Sequence, residues 1–290
     1  MNKWKYAIAL LSLSFFVGLF LVFSLRPEPL RETLIFFPID ESAQFLESRS
    51  AITISSSKDE DEYILNWETS SLLDQEAFLR QDVSLLFEDG LLKDIQSTWK
   101  KQTDSITMNK HVPSDDSGHY RVVTFHHAEI HYPNDHIRSA QALSFDRLYV
   151  VDSPLSPLEA FRIPETEQQW ESKRVLDYIL QQQQQYDWED LFEYYHLPED
   201  EYVKIPLTDF IQYEQLPGLT REESQRFLGG LWEGLYKHYI LGIAQEDGTV
   251  SSPIGSTVPL ILLPKTTDHF FILFRTPDGN PVQFIQTISS

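Results

Sequence analysis

Cysteine does not occur anywhere in this 290-residue chain. Its absence excludes disulfide staples, thiolate metal ligands and a cysteine nucleophile, and leaves the redox compartment unmarked. Positive charge is scarce: 23 Lys and Arg stand against 44 Asp and Glu, a formal net charge of −21. A body so acidic repels phosphate backbones, which argues against nucleic acid as a partner. Phosphate-cradling loops are missing, with neither the Walker pattern nor G-x-G-x-x-G in the sequence. G-x-S-x-G and H-E-x-x-H are missing too, so the common serine-hydrolase and zinc-protease signatures lend no support to an enzyme, and no cofactor is indicated.

What is present suits a folded chain. Hydrophobic residues make up 41% and aromatics 13% of the sequence, enough at this length to bury a core without metal or disulfide staples. The uncharged run from Ala7 to Leu25 would be roughly 28 Å long as a helix, close to the ~30 Å hydrocarbon core of a bilayer. It exceeds the apolar core of a secretory signal and ends abruptly at Arg26. The expectation is a cytoplasmic tail over 1–6, a single-pass transmembrane helix over 7–25 contacting the lipid bilayer, a proline-stiffened spacer over 26–32, and an extracytoplasmic domain over 33–290.

Periodicity within 33–290 predicts an α+β fold: a mixed, mainly antiparallel sheet with packed helices, divisible into lobes 33–164 and 165–290. Short helices are expected near Ser42–Glu47 and from Asp74, where Phe78, Leu79, Val83, Leu86 and Phe87 share a helical face. The Asp89–Gly90 pair would alternatively start a hairpin. Tyr120–Tyr132 reads as a strand with "RLYVVDSP" as its neighbour, and Trp170–Gln185 as a helix followed by a second from Asp187. "TREE" is a capping box of Thr220 and Glu223 opening a helix to about Ile240. Gly229, Gly230 and Gly234 interrupt its apolar stripe and suggest close approach of a neighbouring element. "HFFILFRTPDGNPVQFIQTI" has the pattern of a hairpin.

The sharpest chemical signal is "FHHAEIHY", Phe125–Tyr132. On a strand, His127, Glu129 and His131 project from one face, a donor set that suits a transition metal. His119 points the same way, and Asp135 or His136 could fold back as a further ligand. Against this, three successive same-face residues on a straight strand diverge, so a ligand from another strand is needed. The plainer alternative makes the even positions the buried face and His127, Glu129 and His131 the wet one. As a helix, the segment would instead put His127 and His131 on one face and turn Glu129 away.

The function expected from these features is a membrane-anchored extracytoplasmic domain that binds or regulates a protein or cell-envelope partner, with no identifiable catalytic motif. The alternative is a metal-dependent enzyme or metal-binding protein built on His127, Glu129 and His131.

Overall fold

The structure is a computed structural model and describes residues 34–56, 62–153, 156–212, 215–244, 248–264 and 269–287. Leu34–Ser290 forms one compact unit. The expected α+β class is corrected: the chain is mostly antiparallel sheet, 54% strand and 24% helix, with a near-closed, barrel-like sheet. The expected single-pass membrane protein is corrected as well, because among the described residues no helix is long and apolar enough to cross a membrane. Residues 1–6, 7–25 and 26–32 lie outside the described residues.

Six strands build the barrel-like sheet: β1 (Phe45–Ser56), β2 (Tyr63–Glu88), β3 (Leu91–Ser114), β4 (Gly118–Tyr132), β5 (His136–Ser153) and β6 (Ser156–Phe161). Their order is β1-β2-β4-β5-β6, with β3 also on β2. Strand β2 organises the rest. Its first half pairs with β1 and its second half with β4. Between Leu72 and Ala77 its register against β3 jumps, and such a bulge bends a strand and lets the sheet wrap onto itself. Two of the strand turns carry their own chemistry: Asp89 and Gly90 have φ of 46° and 85°, as a two-residue hairpin turn requires, and the three-residue turn from Pro133 to Asp135 has Asn134 and Asp135 at φ of 66° and 56°.

The helix expected from Asp74 is part of β2. Every side chain from Arg80 to Phe87 is buried, because Asp82, Ser84 and Leu86 face the barrel interior while Val83, Leu85 and Phe87 join an outer core. A strand covered on both faces carries apolar residues at both parities, which imitates the 3-4 spacing of a helix. Residues 42–47 are likewise not helical but lead into β1.

The outer core is completed by a second sheet of β7 (Tyr202–Pro206), β10 (Leu260–Pro264), β11 (His269–Arg275) and β12 (Pro281–Thr287), in the order β12-β11-β10-β7. A small ribbon of β8 (Ile243–Ala244) and β9 (Val250–Ser251) stands apart. Helix α1 (Glu167–Tyr194) is a single 28-residue helix where two were expected, and it seats Leu191 and Phe192 on Leu260, Leu262, Phe271 and Leu273. Helix α2 (Arg221–Leu235) opens with the expected Thr220–Glu223 capping box and runs into a π turn at Tyr236–Ile240. Its Phe227, Leu231 and Trp232 lie in the outer core against Val123 and Phe125 of β4. The Trp232 and Phe125 rings stack, with centroids 5.2 Å apart.

Candidate functional site

Strand β4 is confirmed as a strand, but its odd face is not uniformly wet. His127 is 2% exposed and its Nε2 lies 3.0 Å from Ser139 Oγ on β5. Burial, with the Arg80 charge adding to it, holds His127 down to about 4. Glu129 and His131 emerge where the covering layer ends; they contact each other, and the His131 ring stacks on Phe78 at 3.8 Å. His119 lies eight positions before His127, or about 26 Å along an extended strand. It is buried and stacked on Tyr149 at 4.1 Å. Burial, and then the Arg121 charge, lowers its pKa to about 3, with Asp177 opposing. His136 is exposed beyond the turn. The structure thus brings Glu129 and His131 together and leaves His119, His127 and His136 apart. Among the described residues, no group of three or more His, Asp or Glu side chains is disposed to hold a metal ion.

The neighbouring His126 carries the more organised chemistry. It faces the barrel interior, which is filled in three layers. One is apolar and includes Tyr63, Trp67, Tyr120 and Val122; another is of smaller residues, including Ala43, Ala77, Ala128 and Ala140. Between these runs a polar layer. Asp82 stands opposite His126 in the β2–β4 register, and its Oδ2 lies 2.7 Å from His126 Nδ1. The other ring nitrogen, Nε2, lies 2.8 Å from Ser144 Oγ. Ser144 Oγ also meets Ser50 Oγ at 2.7 Å, and Ser50 meets Thr124 at 2.7 Å. Ser71 donates to Asp82 at 2.6 Å. Arg80, fully buried, reaches Ser71 Oγ, Asp104 O and His127 O, and lies 3.7 Å from Asp82. Burial pulls the Arg80 pKa below its ordinary range, with Asp82 opposing.

Carboxylate, imidazole and hydroxyl follow one another in the order and spacing of an activated nucleophile. Their setting gives them another task. Asp82 and His126 are fully buried and Ser144 is 5% exposed, so a substrate has no approach to the hydroxyl in this conformation. What the layer does is close the barrel wall. No ladder pairs β1 with β5 among the described residues; instead Ser50 meets Ser144, and the Ile52 N–H donates to Asp146 Oδ2 at 2.8 Å. Arg162 completes the seam by donating to Ile52 O and Asp146 Oδ2, each at 2.6 Å.

A groove of about 1040 Å3 opens at one end of that seam, between residues 36–45, the Arg138–Ala142 stretch of β5 and the first turns of α2. Phe36, Phe45, Ala140 and Ala142 give it apolar surface, and Arg138, Arg221 and Arg226 face it together with Asp40, Glu41 and Glu222. Phe45 also covers the polar layer: its ring lies 4.8 Å from the Arg80 guanidinium and 6.0 Å from the His126 ring. Beside the groove, the N–H and C=O of Ser139 turn outward to Pro38 O and the Asp40 N–H. Backbone direction alternates along a strand, so the next outward-facing peptide groups on β5 are those of groove-lining Gln141.

Neither the polar layer nor the groove was visible as a motif. Asp82, His126 and Ser144 are 44 and 18 positions apart, and only the β2–β4–β5 register brings them together. No protein-family model matches this chain, and no curated protein matches it.

Proposed function

We propose that this protein is a binding domain that takes an extended segment of a partner polypeptide into the groove between residues 36–45, β5 and α2. The groove carries this proposal. Its size is at the upper end for a ligand site, and its open surround of guanidinium and carboxylate groups on apolar surface suits a chain with side chains of mixed character. The outward peptide groups of Gln141 add a place for main-chain hydrogen bonding, the recognition mode in which a peptide extends an existing sheet. The three arginines matter because the chain as a whole is strongly acidic, and Arg221, exposed in the first turn of α2, stands where a partner carboxylate would meet it.

The test is selection of a random displayed-peptide library against the full chain, followed by binding measurements on the enriched peptides. Arg221→Glu is expected to weaken them by roughly tenfold, the size of one lost charge-assisted contact. Ala142→Trp, which fills the groove, is expected to abolish binding. Peptides bound equally well by both variants would place recognition elsewhere and overturn the proposal.

A further inference from the structure

Helix α1 has 28 residues but buries only Gln169, Leu180, Leu191 and Phe192. It leaves six large apolar side chains standing in solvent: Trp170, Val175, Tyr178, Ile179, Tyr186 and Tyr194, each more than half exposed. Single exposed apolar residues are ordinary, but at 3.6 residues per turn Val175, Tyr178, Ile179 and Tyr186 fall within about 100° of one another on one face of the helix. Several of them are ordered along one ridge of residues four apart. Counting outward from Gln182, the ridge reads Tyr178 and Tyr186, then Arg174 and Asp190, then Trp170 and Tyr194. All seven positions are exposed. Aromatics sit at matching distances on the two sides, and the charged pair has opposite signs.

We infer that this ridge is the contact between two copies of the chain, packed antiparallel about a twofold axis at Gln182. A twofold contact brings the same patch of both copies together, so the patch must complement itself. Here Tyr178 meets Tyr186 of the partner subunit, and Arg174 meets Asp190 of the partner subunit. The distribution of charge also selects the antiparallel arrangement. Lys173 and Arg174 lie in the first half of α1 and offset most of the charge of Glu167, Glu171 and Asp177, whereas Asp187, Glu189, Asp190 and Glu193 of the second half have no basic neighbour on the helix; a parallel pairing would set these two acidic halves together. Within one copy Arg174 has only a 3.9 Å approach to Glu171, and both side chains are largely exposed. Asp190 is held by Arg275 of its own chain, and a carboxylate has acceptor capacity for a second donor. A row of residues four apart turns about 40° around the helix at each step, so Trp170 and Tyr194 face away from the axis at Gln182. Contact is therefore concentrated around Gln182.

The absence of cysteine makes the test clean, because Gln182→Cys in the full-length protein supplies a single thiol on the proposed axis. At the ~8–10 Å separation of packed helices, facing Cα atoms come within about 6 Å, inside disulfide range. Mild oxidation is expected to give a linked dimer with Gln182→Cys and none with the exposed control Glu222→Cys. Sedimentation of the unmodified chain is expected to show concentration-dependent dimerisation, weakened about tenfold by Arg174→Asp and removed by Tyr178→Glu. Any of three results overturns the inference: a monomer at every concentration with no linkage, equal linkage at both cysteine positions, or a dimer indifferent to both ridge substitutions. None of these results bears on the groove, which lies on other elements.

Discussion

Asp82 and His126 face each other across β2 and β4, with Asp82 Oδ2 lying 2.7 Å from His126 Nδ1 and both side chains out of solvent. The same carboxylate accepts from Ser71 and sits beside the buried Arg80. One side chain thus satisfies an imidazole and a hydroxyl while compensating a guanidinium.

Asp82→Ala should therefore cost about 3–5 kcal/mol, as expected when one member of a buried charged set is removed and the other charge stays behind. Ser144→Ala, which deletes a neutral hydroxyl, should cost only about 1 kcal/mol. Urea unfolding of the two variants measures the difference. If Asp82→Ala proved as mild as Ser144→Ala, the polar layer would not be what holds β1, β2, β4 and β5 together.

His127 makes stability depend on acid. Its folded-state pKa is held down to about 4 by burial, from an ordinary 6.5, so between those values the unfolded chain binds a proton that the folded chain refuses. Stability is full above about pH 6.5 and falls as the pH drops toward 4, by on the order of 3 kcal/mol for this group. His119, lowered to about 3, acts in the same direction. His127→Gln should lose less stability than the parent between pH 7 and pH 4.5, measured by urea unfolding at both. Parallel losses would show that His127 is protonated without opening the fold.

Local chemistry was the most legible part of the fold. Asp89–Gly90 and the Thr220–Glu223 box announce a turn and a cap because their geometry is decided within four residues. Strand β4 was legible for its length, but its two faces were not, since nothing in "FHHAEIHY" says that a second sheet and α2 cover the odd face as far as His127. The same double covering hid β2, whose apolar residues at both parities look helical. The polar layer escaped for a different reason. Histidine, aspartate and serine are common, and their convergence is a property of the β2–β4–β5 register, which joins positions 44 and 18 residues apart.

The adjacent glycines of α2 provide opposite outcomes from one kind of substitution. A Cβ built on Gly229 would lie 2.0 Å from Cδ2 of Phe36 and 2.4 Å from its Cε2 and Cγ. The ring cannot keep its place, so Phe36 must leave the helix and give up its position on the groove wall. At Gly230 the nearest atom is Gln286 Nε2 at 3.8 Å, an ordinary contact. Replacing glycine by alanine inside a helix is worth about 1 kcal/mol where nothing obstructs the new methyl. Gly230→Ala should thus stabilise the protein by up to that amount, whereas at Gly229 the gain is outweighed by an overpacking cost of about 1–3 kcal/mol. Thermal unfolding of the two variants decides it: Gly230→Ala is expected to melt above the parent and Gly229→Ala below. Melting of Gly229→Ala at or above the parent would mean that Phe36 is not seated on α2.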